Sequence, residues 1–266
     1  MPEAFFLSGA AAPLFTLHWP GSTACAPVLL LPPLLEELNK SRRVLNDLAR
    51  ALQAQGHAVL LVDWFGTGDS GGELADASWS QWQADVACAR AFLAERYPLP
   101  PVACALRGGA LLLPELPDCA WLLCAPISDG QQQVSQWLRL KLMAARMAGE
   151  NLSSEQLQAQ LDAGGVEIAG YWLSPALVAP MRTIRLADTA ASGAWRHLIE
   201  VGSQPAPTPA SKMLLARWQA SWAAAPGDAF WQTTEIAVCP ALVDAVCQQL
   251  RAPASAYVEP VAGASA

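Results

Sequence analysis

Histidine is scarce in this chain. Only His18, His57 and His197 occur, and none stands at metal-ligand spacing from another, which argues against a zinc site. Charge is scarce as well, at 15% of residues, and its balance is acidic, with a net charge of −7. Lys40, Arg42 and Arg43 form the one dense basic cluster, so no broad cationic face exists for a nucleic acid. No stretch reaches the ~18 uninterrupted apolar residues of a membrane span, and the first residues lack the basic and apolar segments of a leader. The 7 cysteines form no C-x-x-C pair, and several lie inside apolar runs where a free thiol behaves as a small hydrophobe. Both features fit a reducing, cytoplasmic setting.

What the chain has in quantity is apolar surface: 53% hydrophobic residues and 11 tryptophans. These imply either a tryptophan-rich core or apolar surface kept for a partner, a lipid-like ligand or a covered pocket. Its 266 residues suit one α/β domain with an inserted sub-domain.

The order of elements sharpens that picture. Residues 4–8 and 13–19 read as an antiparallel hairpin, 28–31 as a buried strand, 42–55 as an amphipathic helix and 57–62 as the next strand. A helix over 78–97 follows, with Ser78 as its N-cap and Pro98 as its stop; strands at 102–106 and 119–124 come next. From 131 to 190 the pattern turns to helices without an obvious strand, which suits a helical cap inserted into a core of residues 1–130 and 191–251. Residues 195–201 resume a strand, 208–223 read as a helix, 229–236 as a last strand and 240–250 as a closing helix; 252–266 read as a frayed tail. Alternating strands and helices call for a mostly parallel sheet flanked by helices, with ligands beyond the carboxyl ends of the strands.

The segment Ala105-Leu106-Arg107-Gly108-Gly109 closes an apolar strand with the small flanking residues of a nucleophile elbow, the G-x-S-x-G turn that lifts a serine above a parallel sheet. Arginine stands where the serine belongs. It stays protonated and cannot attack an acyl carbon. Asp63 to Gly72 is glycine-rich, yet it lacks both the lysine of a phosphate loop and the dinucleotide-binding spacing, so no cofactor is called for.

Pro33 to Arg43, Asp63-Trp-Phe-Gly-Thr-Gly-Asp-Ser-Gly-Gly72 and the elbow together resemble the α/β-hydrolase superfamily, and more narrowly the exosortase A system-associated hydrolases of the hydrolase 2 type. The resemblance implies an α/β-hydrolase fold, a hydrolase of ester, thioester or peptide-like substrates, and a possible protein partner in an exosortase or exopolysaccharide system. It supplies no triad. A serine hydrolase of this fold needs a histidine after its last strand, and Ala237 to Pro240 has none. His197, inside a strand, reads as a core or edge imidazole. Cys104 lies within its strand, and Cys124 has no histidine in reach.

Two readings stay open at the level of sequence. In one, Glu36 or Glu37 acts as general base on a water, Arg107 polarises the substrate, Gly108 and Leu34 frame the oxyanion, and Asp129 or Asp63 orients. In the other, the fold is non-catalytic and binds an anionic ligand or a partner protein. Arg107 then meets either that anion or an internal carboxylate from Glu36, Glu37, Asp63 or Asp129, the internal pair being the cheaper arrangement.

Overall fold

The computed structural model describes residues 1–190 and 194–252. The expected tail lies almost wholly outside the described residues. Eight strands form one sheet: β1 (Glu3–Ser8), β2 (Pro13–Trp19), β3 (Val28–Leu31), β4 (Val59–Val62), β5 (Val102–Leu106), β6 (Ala120–Cys124), β9 (Arg196–Val201) and β10 (Ser221–Ala225). Their spatial order is β1-β2-β4-β3-β5-β6-β9-β10; the first two pairings are antiparallel and the rest parallel. The four inner strands β3 to β6 are buried on both faces, which is why they read as unbroken apolar runs (Val-Leu-Leu-Leu, Val-Leu-Leu-Val) rather than alternating ones.

Helices cover both faces. On one side lie α1 (Glu36–Ala54) and α7 (Pro240–Gln249), packed on Val28, Leu30, Val59, Cys104 and Leu122. The other side carries α2 (Trp79–Arg96), the 3-10 helix Arg107–Glu115 and α6 (Pro209–Trp218), around Leu29, Leu31, Ala103 and Trp121. Ser78 caps α2, its side chain accepting a hydrogen bond from the Gln81 amide. Trp19, Trp64, Trp82, Trp121 and Trp137 are among the largest fully buried side chains, so much of the tryptophan builds core.

Three expectations from sequence need correcting. First, α1 begins at Glu36, six residues before the expected start, so Glu36 to Arg43 is two turns of helix rather than loop. Secondly, the insert between β6 and β9 holds α3 (Gly130–Met147), α4 (Ser154–Ala163), α5 (Pro175–Met181) and a short hairpin of β7 (Val166–Ile168) with β8 (Tyr171–Leu173), strands that the helical reading missed. Thirdly, the last strand is Ser221–Ala225, while residues 230–232 form a 3-10 turn.

Candidate functional site

The elbow forms where the sequence places it. Leu106 ends β5, Arg107 turns with φ +50°, and the chain enters the 3-10 helix at once. Left-handed backbone is costly for a side chain with a Cβ, and the surroundings hold it here. The Ile127 amide donates to the Arg107 carbonyl at 3.1 Å. Gly109 lies against the Leu31 and Pro32 carbonyls, so a methyl group there would strike backbone oxygen. A methyl group on Gly108 would strike the Gln133 carboxamide oxygen, with the Leu34 side chain beyond it. Gln133 from α3 thus fills the space on the Cα side of Gly108.

Arg107 points into a carboxylate. Its Nε and Nη2 donate to the two oxygens of Glu37 at 3.2 and 3.1 Å, and Nη1 donates to the Ala125 carbonyl at 3.1 Å. The guanidinium carbon lies 4.5 Å from the Trp231 ring centroid. The two side chains are only 11% and 9% exposed. Burial pushes the Glu37 carboxyl up while the Arg107 charge and hydrogen bonds pull it back; the net direction is upward. This is a fork-to-fork pair stacked under an indole, with its charge cancelled.

The other proposed site residues separate. Glu36, one residue away, takes no part in the ion pair but borders a cleft that Glu37 also lines; burial is the main cause that raises its carboxyl to about 6. Asp63 is taken up by Arg42, at 3.2 Å to each oxygen, and by the Asp69 amide. It fastens the glycine-rich turn to α1. Asp129 caps α3, accepting from the Gln132 amide at 2.9 Å, and pairs with Arg185 at 2.7 Å. The structure therefore gathers Arg107, Glu37, Gly108 and Leu34, and directs Asp63 and Asp129 to holding the fold.

All three imidazoles are among the described residues, and none reaches the elbow. His18 bridges Glu3 and Tyr97, and His57 bonds the Ala26 and Leu250 carbonyls. His197 Nδ1 meets Ser221 Oγ at 2.6 Å, which has the look of a serine-histidine pair. Both residues sit at or next to the amino ends of β9 and β10, opposite the elbow, and burial lowers the imidazole to about 4, too weak a base for the role. The true segment after the last strand, 226–239, also lacks histidine; it supplies Trp231 instead.

Sequence reasoning missed Trp231, Gln133 and Glu200. Trp231 fell within a strand assigned to the wrong place, and Gln133 within a helix with no visible link to the elbow. Glu200, at the end of β9, accepts from Thr208, Ser211 and Trp222. Burial pushes its carboxyl up, but those hydrogen bonds outweigh it and hold the group below its usual range. Arg107, Glu200 and Trp231 line a cavity of about 500 Å³ beyond the strand ends, with Ser128, Gln132 and Thr208.

The sequence profile of the hydrolase family described as serine aminopeptidase, S33 matches residues 35–167, half of the chain. The chain belongs to this family. Its fold is that of the α/β-hydrolases. No curated protein sequence matches it. Among solved structures it is similar to Est1E from Butyrivibrio proteoclasticus with ferulic acid bound, at 14% identity, TM-score 0.61, covering 93% of this chain and 96% of that one. It is also similar to the proline iminopeptidase of Mycobacterium smegmatis, at 13% identity, TM-score 0.63, covering 96% and 99%. The α/β-hydrolase GrgF of a Penicillium species gives 15% identity and TM-score 0.63 over 96% and 99%. The profile spans the elbow and stops before β9, β10 and the segment that would carry the histidine.

Proposed function

We propose that this chain is a hydrolase-fold binding protein that has given up ester and peptide cleavage. The observation that carries the reading is the Arg107–Glu37 ion pair, closed over by Trp231 at the nucleophile position. Loss of the nucleophile or base of a triad costs on the order of 10⁶ in kcat, roughly 8 kcal/mol of transition-state stabilisation. With Glu37 cancelling its charge, Arg107 serves as floor and positioning element, while the insert of 131–190 acts as cap. The finer resemblance in Pro33 to Arg43 makes the protein a cytoplasmic companion of an exosortase or exopolysaccharide system, with a component of that system as its partner.

One observation favours the second reading, a hydrolase of ester, thioester or peptide-like substrates without a triad. The Glu36 carboxyl, at about 6, has no ion-pair partner within 4 Å among the described residues and borders a cleft where it could activate a water. A panel of p-nitrophenyl esters, thioesters and aminoacyl amides on purified protein separates the two. Turnover at solvent background supports the binding protein; turnover that disappears with Glu36→Gln establishes the hydrolase.

A further inference from the structure

We infer that the outer face of α3 docks on an anionic lipid surface. The inference stands whether or not the elbow cleaves a substrate.

α3 carries apolar residues on two faces. Val134, Trp137, Leu138 and Ala145 are buried and form the inner stripe that holds the helix to the fold. On the opposite side Leu140, Met143 and Met147 recur at i, i+3 and i+7 and are 42%, 60% and 89% exposed, with the exposed Ala144 among them. Of nine large apolar side chains left exposed among the described residues, these three share one helix face, so they form a patch rather than scatter.

Charge indicates what covers the patch. Gly130–Met147 contains Arg139, Lys141 and Arg146 and no acidic residue, in a chain whose net charge is −7. Arg139 precedes Met143 by one helical turn and Arg146 follows it by one, which sets both arginines beside the stripe. None of the three cations joins an ion pair or a side-chain hydrogen bond among the described residues. Of the carboxylates that share clefts with the two arginines, Glu37 is spent on Arg107, and Lys40 lies one turn along α1 from Glu36. That leaves Glu150 against two guanidinium groups.

An apolar stripe with a cationic flank is what a helix lying in the headgroup layer of an anionic bilayer presents. Two other occupants fit less well. A second copy docked through the same stripe would bring its arginines onto those of the first. A protein partner in a standard interface covers about 800 Å² a side, whereas residues 140–147 span only about 10 Å of helix. Docked on lipid, the helix brings the cleft of about 350 Å³ that Leu140 and Met143 line to the bilayer surface.

Co-sedimentation tests this with vesicles of phosphatidylcholine alone and of phosphatidylcholine with about 30% phosphatidylglycerol. The protein should partition onto the mixed vesicles at least about tenfold better than onto the neutral ones, and about 0.5 M salt should remove most of that preference. Arg139→Gln/Arg146→Gln should weaken binding to the mixed vesicles by about tenfold or more, and Leu140→Gln/Met143→Gln/Met147→Gln should weaken binding to both kinds. Both variants alter exposed side chains only, so their Tm should match that of the wild type. No partition by about 1 mM lipid, equal binding to the two kinds of vesicle, or binding that neither variant changes overturns the inference. So does a dimer in analytical ultracentrifugation that the triple variant dissolves, which would give the stripe to a second copy.

Discussion

Arg107 and Glu37 stabilise the fold only together. Removing one partner of a buried pair leaves an uncompensated charge and typically costs about 3–5 kcal/mol, whereas replacing both with apolar groups is often neutral. Glu37→Gln should therefore destabilise by about 3 kcal/mol in urea unfolding, and Glu37→Leu/Arg107→Met should recover most of that loss. Additive losses in the double variant would contradict the pairing. Glu36 tests burial through pH. Its carboxyl is raised from 4.5 to about 6, so its contribution is fully present below pH 4.5 and is lost as pH rises through 6. Glu37 and Lys40 on its own helix, Arg107 at the elbow and Tyr171 on β8 are the charged or titratable groups that act on it. Allowing for its partial exposure, Glu36→Gln should stabilise by about 1 kcal/mol at pH 8, or roughly 2–4 °C in Tm, with the gain vanishing at pH 4.5. A pH-independent difference would contradict it. The internal pairing of Arg107 was legible from the cost of burying it; its partner was not. Four carboxylates stood at the same sheet edge, and only the earlier start of α1 turns Glu37 inward.

At the level of elements, the elbow depends on close approach of backbone to backbone. Gly109→Ala would push a methyl group into the Leu31 and Pro32 carbonyls, at the end of β3 where Pro32 and Pro33 follow. It should cost several kcal/mol or abolish soluble expression, in the upper tail of single substitutions. A variant of wild-type Tm would show that the turn can relax. The central strands were legible because burial on both faces writes itself as unbroken apolar sequence. The last strand was not. Ser-Trp-Ala-Ala-Ala is poor in β-branched residues and rich in the best helix former, whereas 229–236 has the aromatic and threonine content of a strand. Pairing with β9 overrides that local preference. Val166–Ile168 and Tyr171–Leu173 escaped notice because three-residue strands are shorter than any periodicity can register.

Across the whole molecule, a sheet, an elbow and an inserted segment of the hydrolase type surround a position that holds no nucleophile. Four side chains make that arrangement: one arginine, one glutamate from α1, one glutamine from α3 and one tryptophan from the last loop. On the reading proposed above, fold and function part company, since the architecture belongs to the family while the chemistry belongs to four side chains. Installing the serine again tests this most directly. Hydrolysis of p-nitrophenyl esters by Arg107→Ser should stay within about tenfold of solvent background, because no histidine stands at the carboxyl edge to take its proton. A gain of several decades over wild type would mean that a working base already faces the elbow, and the loss of catalysis inferred from Arg107 would be refuted.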